Sequence, residues 1–174
     1  MPKRQLPLLE DLSAEGRHIY NEMSSASDMI TVVLGASFLD VSVAALLHRS
    51  LRRGQTTDRL IGDRGPIGSF AARADLAYCM KLINKPLYQD LIQVAEMRNE
   101  FAHEHQLRSF STPSIAQRCA ALSYLQSMPV VDEAKAAAFS EYTGKPRALY
   151  IMTVIILSLR IVALGKSIEP HSDA

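Results

Sequence analysis

The last long apolar segment of the chain constrains the fold more than any other feature. Residues 147–166 favour a helix that is hydrophobic almost all the way round. A helix of this kind must be covered on several sides. It is therefore either the central helix of a core or a helix that leaves part of its surface for another subunit. If Arg160 is buried within it, that guanidinium needs a carboxylate or carbonyl partner, and Asp40 and Asp75 are candidates.

The rest of the chain also favours helices, with glycines and prolines between them. The sequence predicts helices over residues 9–24, 27–53, 69–83, 87–103, 115–126, 132–139 and 147–166. Ser27 followed by Asp28 is typical of a helix start, because the hydroxyl caps backbone N–H groups and the carboxylate complements the helix dipole. Residues 54–68 hold four glycines and a proline and are predicted to form a loop. No stretch alternates with period two for long enough to indicate a sheet.

Length and composition indicate one all-α domain, a bundle of about six or seven helices. A chain of 174 residues with 48% hydrophobic and 21% charged residues fits a single globular domain over residues 1–174. We expect residues 1–8 and 170–174 to be frayed. Nineteen basic residues face eighteen acidic ones, so the chain lacks the basic excess that usually accompanies nucleic-acid binding.

The chain shows no sign of secretion or membrane insertion. Its first residues turn acidic without the apolar run of a signal peptide. The apolar stretches 29–47 and 149–164 fall short of the roughly 20 residues that a spanning helix needs. Cys79 and Cys119 lie in apolar helical patterns without a pairing or metal-binding motif, so we predict two buried, reduced thiols in a cytoplasmic protein.

The predicted fourth helix ends in a cluster of polar groups, M-R-N-E-F-A-H at residues 97–103. Asn99 and His103 are four residues apart and share a helix face. Arg98 lies about 140° away from His103 around the axis, so the two converge only where the helix ends or where a second subunit contributes one of them. If they converge, the guanidinium can bind a phosphate and the imidazole can move the 2′-hydroxyl proton of RNA, without a metal.

The same residues also suit a plain helix C-terminus. There Arg98 and His103 would bind free carbonyls and complement the negative end of the dipole. A metal site is not indicated, because His103 and His105 point to different sides of a helix and no third ligand cluster lies near them in the sequence. We predict neither a metal nor another cofactor.

A second candidate site is the basic segment around the glycine-rich turn. Its members are Arg49, Arg52, Arg53, Arg59 and Arg64. Guanidiniums and exposed amides around such a turn can hold a phosphate. The segment follows a helix rather than a strand and lacks the Lys-Ser/Thr ending of a phosphate loop, so a nucleotide-binding fold is not indicated. The first three arginines also suit a solvated helix C-terminus.

Four blocks in a fixed order resemble the mannitol operon repressor family. They are G-P-I-G at 65–68, R-A-D-L-A-Y at 73–78, L-I-N at 82–84 and the segment 91–103. The resemblance covers about residues 28–110, and the last helix matches only as a general apolar segment. It implies an all-helical regulator of sugar-alcohol operons that lacks an evident helix-turn-helix.

The chain's own residues agree with the lack of a DNA-reading helix. The predicted third and fourth helices come nearest to a helix-turn-helix, but the fourth carries Asp90, Glu96 and Glu100. A recognition helix needs a basic and polar outer face, and these carboxylates would repel phosphates. We therefore do not expect direct, sequence-specific binding to DNA.

The element Arg98-Asn99-x-x-x-His103 also resembles the signature of HEPN-type helical domains. Many of these are dimeric, metal-independent ribonucleases in which the arginine and histidine meet across the dimer. This second resemblance rests on the motif and the bundle class. It implies that Arg98 binds phosphate, that His103 acts as acid and base and that Asn99 orients the imidazole.

Three hypotheses about function follow. The longer block match and the near-neutral charge favour a cytoplasmic regulator that acts through a protein partner and forms a homodimer. The alternative is a HEPN-type endoribonuclease of the toxin, defence or RNA-processing kind, whose partner is RNA. A third is an antitoxin-like or scaffold subunit whose apolar surface caps a partner.

Overall fold

The computed structural model describes residues 18–103, 108–127, 142 and 144–169, and these residues form an all-α fold. After a helical segment at residues 18–25, the helices are α1 (Asp28–Ser50), α2 (Gln55–Ile61), α3 (Phe70–Cys79), α4 (Lys85–His103), α5 (Pro113–Ala120), α6 (Tyr124–Ser127) and α7 (Pro146–Lys166). No strand occurs within these ranges. The predicted all-α bundle is confirmed.

Helices α1 and α7 are parallel neighbours. Near their starts, Tyr150 Oη on α7 donates to the carbonyl of Val32 on α1 (2.9 Å), and near their ends Arg49 Nε donates to the carbonyl of Ile168 (3.1 Å). The helices approach closely because Gly35 faces the Tyr150 ring, where a Cβ would lie 3.0 Å from the ring atoms. On its other sides α1 packs against α3 and α4, so α1 is the central helix of the bundle.

The structure confirms the predicted cap at Ser27, and two other helices begin within one residue of their predicted starts. Ser27 caps α1 by accepting the N–H of Ile30 (3.5 Å), and Ser69 caps α3 by accepting the N–H of Ala72 (3.2 Å). The last helix begins at Pro146, directly after the predicted glycine-proline break. These ends depend on residues within one turn of each other, which is why the sequence shows them.

Other boundaries differ from the prediction. The prediction of a continuous loop at residues 54–68 is wrong, because the segment contains α2. Helix α1 ends at Ser50 rather than near Arg53, and α3 ends at Cys79 rather than Ile83. The predicted helix 115–126 is two helices with a break at 121–123. The predicted helix 132–139 and the predicted frayed ends lie outside the described residues.

The expectation that no helix reaches membrane-spanning length is also wrong. Helices α1 and α7 have 23 and 21 residues and are apolar enough to cross a membrane by length and composition. The core helix of a soluble protein meets the same criterion, and 67% of the apolar window of α1 is buried inside the bundle. The corresponding share for α7 is 50%, so half of its apolar window stays at least partly exposed.

Candidate functional site

The end of α4 places two of the three predicted catalytic residues at the surface. Arg98 and Asn99 are both exposed, and Arg98 Nη1 donates to Asn99 Oδ1 over 3.3 Å. His103 is the last residue of α4, and its side chain lies outside the described residues. The convergence of Arg98 and His103 therefore stays a prediction, as does the orienting role of the amide.

Arg98 stands near a charged junction between α1, α2 and α3. Its charge acts on Asp40 of α1, which accepts a hydrogen bond from Arg73 Nη1 over 2.7 Å. Burial raises the pKa of Asp40 above its ordinary value, while the hydrogen bond and charge of Arg73, and then the charge of Arg98, oppose that rise. The junction thus links the end of α4 to the glycine-rich turn.

Arg73 is the centre of this junction, and its side chain is only 4% exposed. It donates to the carbonyl of Ile61 through Nε (3.1 Å) and Nη2 (2.9 Å), and to Asp63 Oδ1 through Nη2 (3.0 Å). Burial lowers the pKa of Arg73, but the hydrogen bonds and charges of Asp40 and Asp63 outweigh it, so the pKa is raised and the guanidinium stays charged. One buried cation therefore joins α3 to α1 and to the end of α2.

The partners expected for Arg160 are wrong. Arg160 is exposed on α7 and needs no buried counter-charge. Asp40 pairs with Arg73, and Asp75 accepts a hydrogen bond from the Tyr88 hydroxyl over 2.9 Å. Periodicity showed that α7 is apolar all round but could not show which side of it faces the solvent.

The glycines of the turn are required by close packing against α2. A Cβ at Gly65 would lie 2.2 Å from the carbonyl oxygen of Arg59, and one at Gly68 would lie 2.6 Å from that of Asp63. Both distances are too short for any other residue unless the backbone moves. The G-P-I-G block is therefore explained by packing.

The structure divides the five arginines proposed to bind phosphate. Arg49 bonds to the carbonyl of Ile168, as expected for a cation at a helix end. The two carboxylates of the segment have partners of their own, since Asp58 pairs with His48 (3.0 Å) and Asp63 with Arg73. The other four arginines are exposed and form no ion pair within the described part of the chain: Arg52, Arg53, Arg59 and Arg64. Phosphate binding by this set stays a prediction.

One of the α4 carboxylates expected at the surface is buried. Asp90 is 0% exposed and accepts the backbone N–H groups of Ser123 and Tyr124, both at 2.9 Å. It thereby caps the start of α6, directly after the break between α5 and α6. Burial raises the pKa of Asp90, and these hydrogen bonds oppose the rise. The expectation that Asp90 would repel phosphates is therefore wrong.

The other two carboxylates of α4 are held by α5. Arg118 contacts Glu96 Oε2 (2.6 Å), Glu100 Oε1 (2.5 Å) and Gln93 Oε1 (3.2 Å). A single arginine therefore covers three successive polar positions on the outer side of α4. Sequence analysis could not predict this clamp, because Arg118 lies 18 or more residues along the chain from its partners.

The two cysteines differ in burial. Cys119 is buried, and burial raises the pKa of its thiol to about 12. Cys79 is exposed at the end of α3, so the prediction that both are buried is wrong for Cys79. Among the described residues, no three His, Cys, Asp or Glu side chains lie close enough together to hold a metal ion.

Comparisons with known proteins agree with this architecture. The sequence profile of the family described as MtlR, mannitol repressor, matches residues 17–163. A chain in the X-ray structure of the MtlR–HPr complex from Escherichia coli has a similar fold, with a TM-score of 0.63 and 15% identity. The match covers 87% of the present chain and 98% of that one. No curated protein sequence matches the chain.

Proposed function

Because the chain belongs to the mannitol repressor family, we propose that it regulates a sugar-alcohol operon mainly through protein contacts and not by reading DNA. The proposal extends to a cytoplasmic location and to a homodimer that meets at the end of α4. Its support comes from the family match and from the position of α4 in the bundle.

The position and contacts of α4 support a mechanism that does not read DNA. Helices α3 and α4 are the pair nearest to a helix-turn-helix, and α4 would be the reading helix. One side of α4 is core, with Leu91, Val94 and Met97 all 0% exposed. Its polar side is clamped by Arg118 of α5. A reading helix must lay a basic, polar face in the major groove, whereas the polar face of α4 carries the carboxylates of Glu96 and Glu100.

The proposed partner is a small protein of the HPr kind. The chain with the similar fold comes from a structure of the complex of MtlR with HPr. A fold that presents no reading helix in its described part, and whose relative is found with a protein partner, suits regulation by binding and release of that partner. We therefore expect partner binding to change the regulator's effect on its operon.

Two measurements test the proposal. Electrophoretic mobility of the operator duplex with pure protein at physiological salt should show no sequence-dependent shift, and a scrambled duplex is the control. Isothermal titration with the HPr-type protein of the same organism should show saturable binding. Tight, operator-specific retardation together with no heat of partner binding would overturn the proposal.

A further inference from the structure

The outer face of α7 is apolar along its length and only partly covered. Six residues at successive turns lie on this face and are partly or fully exposed, with Ile155 and Ile156 also packed against the core: Ala148, Met152, Ile155, Ile156, Leu159 and Ala163. Leu159, near the middle, is 49% exposed. The face runs about 22 Å, at about 1.5 Å per residue, which is the length of a four-turn helix. A continuous apolar stripe of this size marks an interaction site more often than a solvated surface.

The stripe opens into a groove at the N-terminal end of α7. The groove has a volume of about 480 Å³, and its walls include Tyr20, Phe110 and Tyr142, with Ile151 and Met152 along α7. This volume lies within the range of roughly 300–1,000 Å³ found for binding pockets. Groove and stripe share Met152, so they form one continuous surface, here called the α7 surface.

The groove is held open by a partly buried network. Arg147 donates to the carbonyls of Met23 (2.9 Å) and Ala26 (2.5 Å) and pairs with Asp28. The second oxygen of Asp28 accepts the backbone N–H of Phe110 over 2.9 Å. Both walls are thus fixed to α7, so an occupant would not have to order them, and preorganisation of this kind favours affinity.

The charges beside the stripe favour one kind of binding partner. Helix α7 contains no acidic residue, and its cations outside the network of Asp28 are Arg160 and Lys166. Arg160 and Lys166 are exposed beside the stripe. A second copy of α7 laid against the first would bring like charges together, which costs binding energy. An amphipathic helix with an apolar face and acidic flanks would match both the stripe and its rim.

We propose that the α7 surface binds an acidic amphipathic helix of a protein partner. The inference rests on the proposed function, because it assigns a surface to a protein contact. Apolar anchors of the partner would enter the groove and lie along the stripe, while its carboxylates would pair with the cations at the rim.

The test uses two designed 16-residue peptides with the same leucine face, one flanked by glutamates and the other by lysines. Fluorescence anisotropy with the full chain should show the glutamate peptide binding at least about tenfold more tightly. Leu159→Glu should weaken that binding at least about tenfold, and Arg160→Glu should reduce the preference for the glutamate peptide. Ile30→Glu is the matched control, because Ile30 is 55% exposed on α1 and lies outside the groove.

The variants must first show wild-type circular dichroism and thermal midpoint. Equal binding of the two peptides, or unchanged binding by Leu159→Glu, overturns the inference. So does binding to phosphatidylglycerol vesicles without binding to peptide, or a dimer that Leu159→Glu dissociates. If Leu159→Glu still binds the HPr-type protein as the wild type does, the surface for that partner lies elsewhere and the inference fails, while the proposed function stands. Operator-specific binding without a protein partner would instead refute the proposed function.

Discussion

Replacement of Arg73 by methionine tests whether the charged junction holds the first three helices together. Methionine has a similar length and fills much of the same volume, but it donates no hydrogen bond. The change removes the donors to the Ile61 carbonyl, to Asp40 and to Asp63. The apolar packing around the side chain stays close to that of the wild type.

The expected loss follows from what is left behind. The Asp40 side chain is 27% exposed, so removal of its cation leaves a largely buried carboxylate unpaired, and such losses cost about 3–5 kcal/mol. The Ile61 carbonyl also loses its donor, which costs about 1–3 kcal/mol for a buried acceptor. Because the two effects share one side chain, they are not additive. We expect a total loss of about 3–5 kcal/mol.

Urea unfolding followed by circular dichroism measures the effect, since the chain has no tryptophan. At a slope of about 2 kcal/mol per molar, the unfolding midpoint should fall by about 2 M. Asp63→Asn is the matched control: the Asp63 side chain is 91% exposed, and its pair with Arg73 should contribute less than about 1 kcal/mol.

A double variant identifies the cause of the loss. If the unpaired carboxylate dominates, Asp40→Leu added to Arg73→Met should recover stability, because replacement of both partners by apolar groups can be neutral where removal of one is not. If Arg73→Met costs no more than Asp63→Asn, or if the double variant is less stable than Arg73→Met, the junction does not act as described.

Three further predictions follow. Asp90→Asn should lose stability relative to the wild type as the pH falls from 7. The raised pKa of Asp90 means that the folded wild type binds a proton at a higher pH than the unfolded chain, so the wild type gains stability on acidification and the variant does not. Urea midpoints at pH 7 and 4.5 check this, and the opposite trend would contradict it. Ellman's reagent should titrate Cys79 in the native protein and Cys119 only after unfolding, and two fast thiols would show that the burial is wrong. The ribonuclease hypothesis predicts cleavage of RNA in EDTA that His103→Ala abolishes without unfolding, and identical traces for both proteins would end it.

The sequence predicted what neighbouring residues determine. The caps at Ser27 and Ser69 and the start of α7 at Pro146 all depend on groups within one turn. Two of the boundary errors lie where side chains from other parts of the chain bind the backbone. Arg73 reaches back 12 residues to the carbonyl of Ile61 at the end of α2, and Asp90 binds the break after α5 from more than 30 residues away. Periodicity contains no information about such pairs.

In the candidate site, too, the sequence did not indicate which residues are brought together by long-range contacts. The sequence selected the end of α4 as a candidate site, and the structure places Arg98 and Asn99 at the surface there. It grouped Arg49 with the other arginines because it could not show that Ile168, 119 residues away, supplies its partner. It also left open whether Arg160 is a buried charge, since an all-apolar helix does not show which of its faces lies outside the core.

The charged residues of the fold fall into two sets: those that bind other groups of the protein, here called the inward set, and exposed ones without such partners, here called the outward set. A mutation has a different meaning in each set. Arg73 and Arg147 each bind groups from several segments, and Arg118 binds three side chains of α4, so replacement of any of them should lower stability and any function that needs a folded chain. Exposed arginines such as Arg59 and Arg160 have no such partners in the described ranges, and surface replacements of that kind usually change stability by less than about 0.5 kcal/mol. Charge reversal in the outward set can therefore report on a binding partner, whereas loss of function in the inward set reports first on folding.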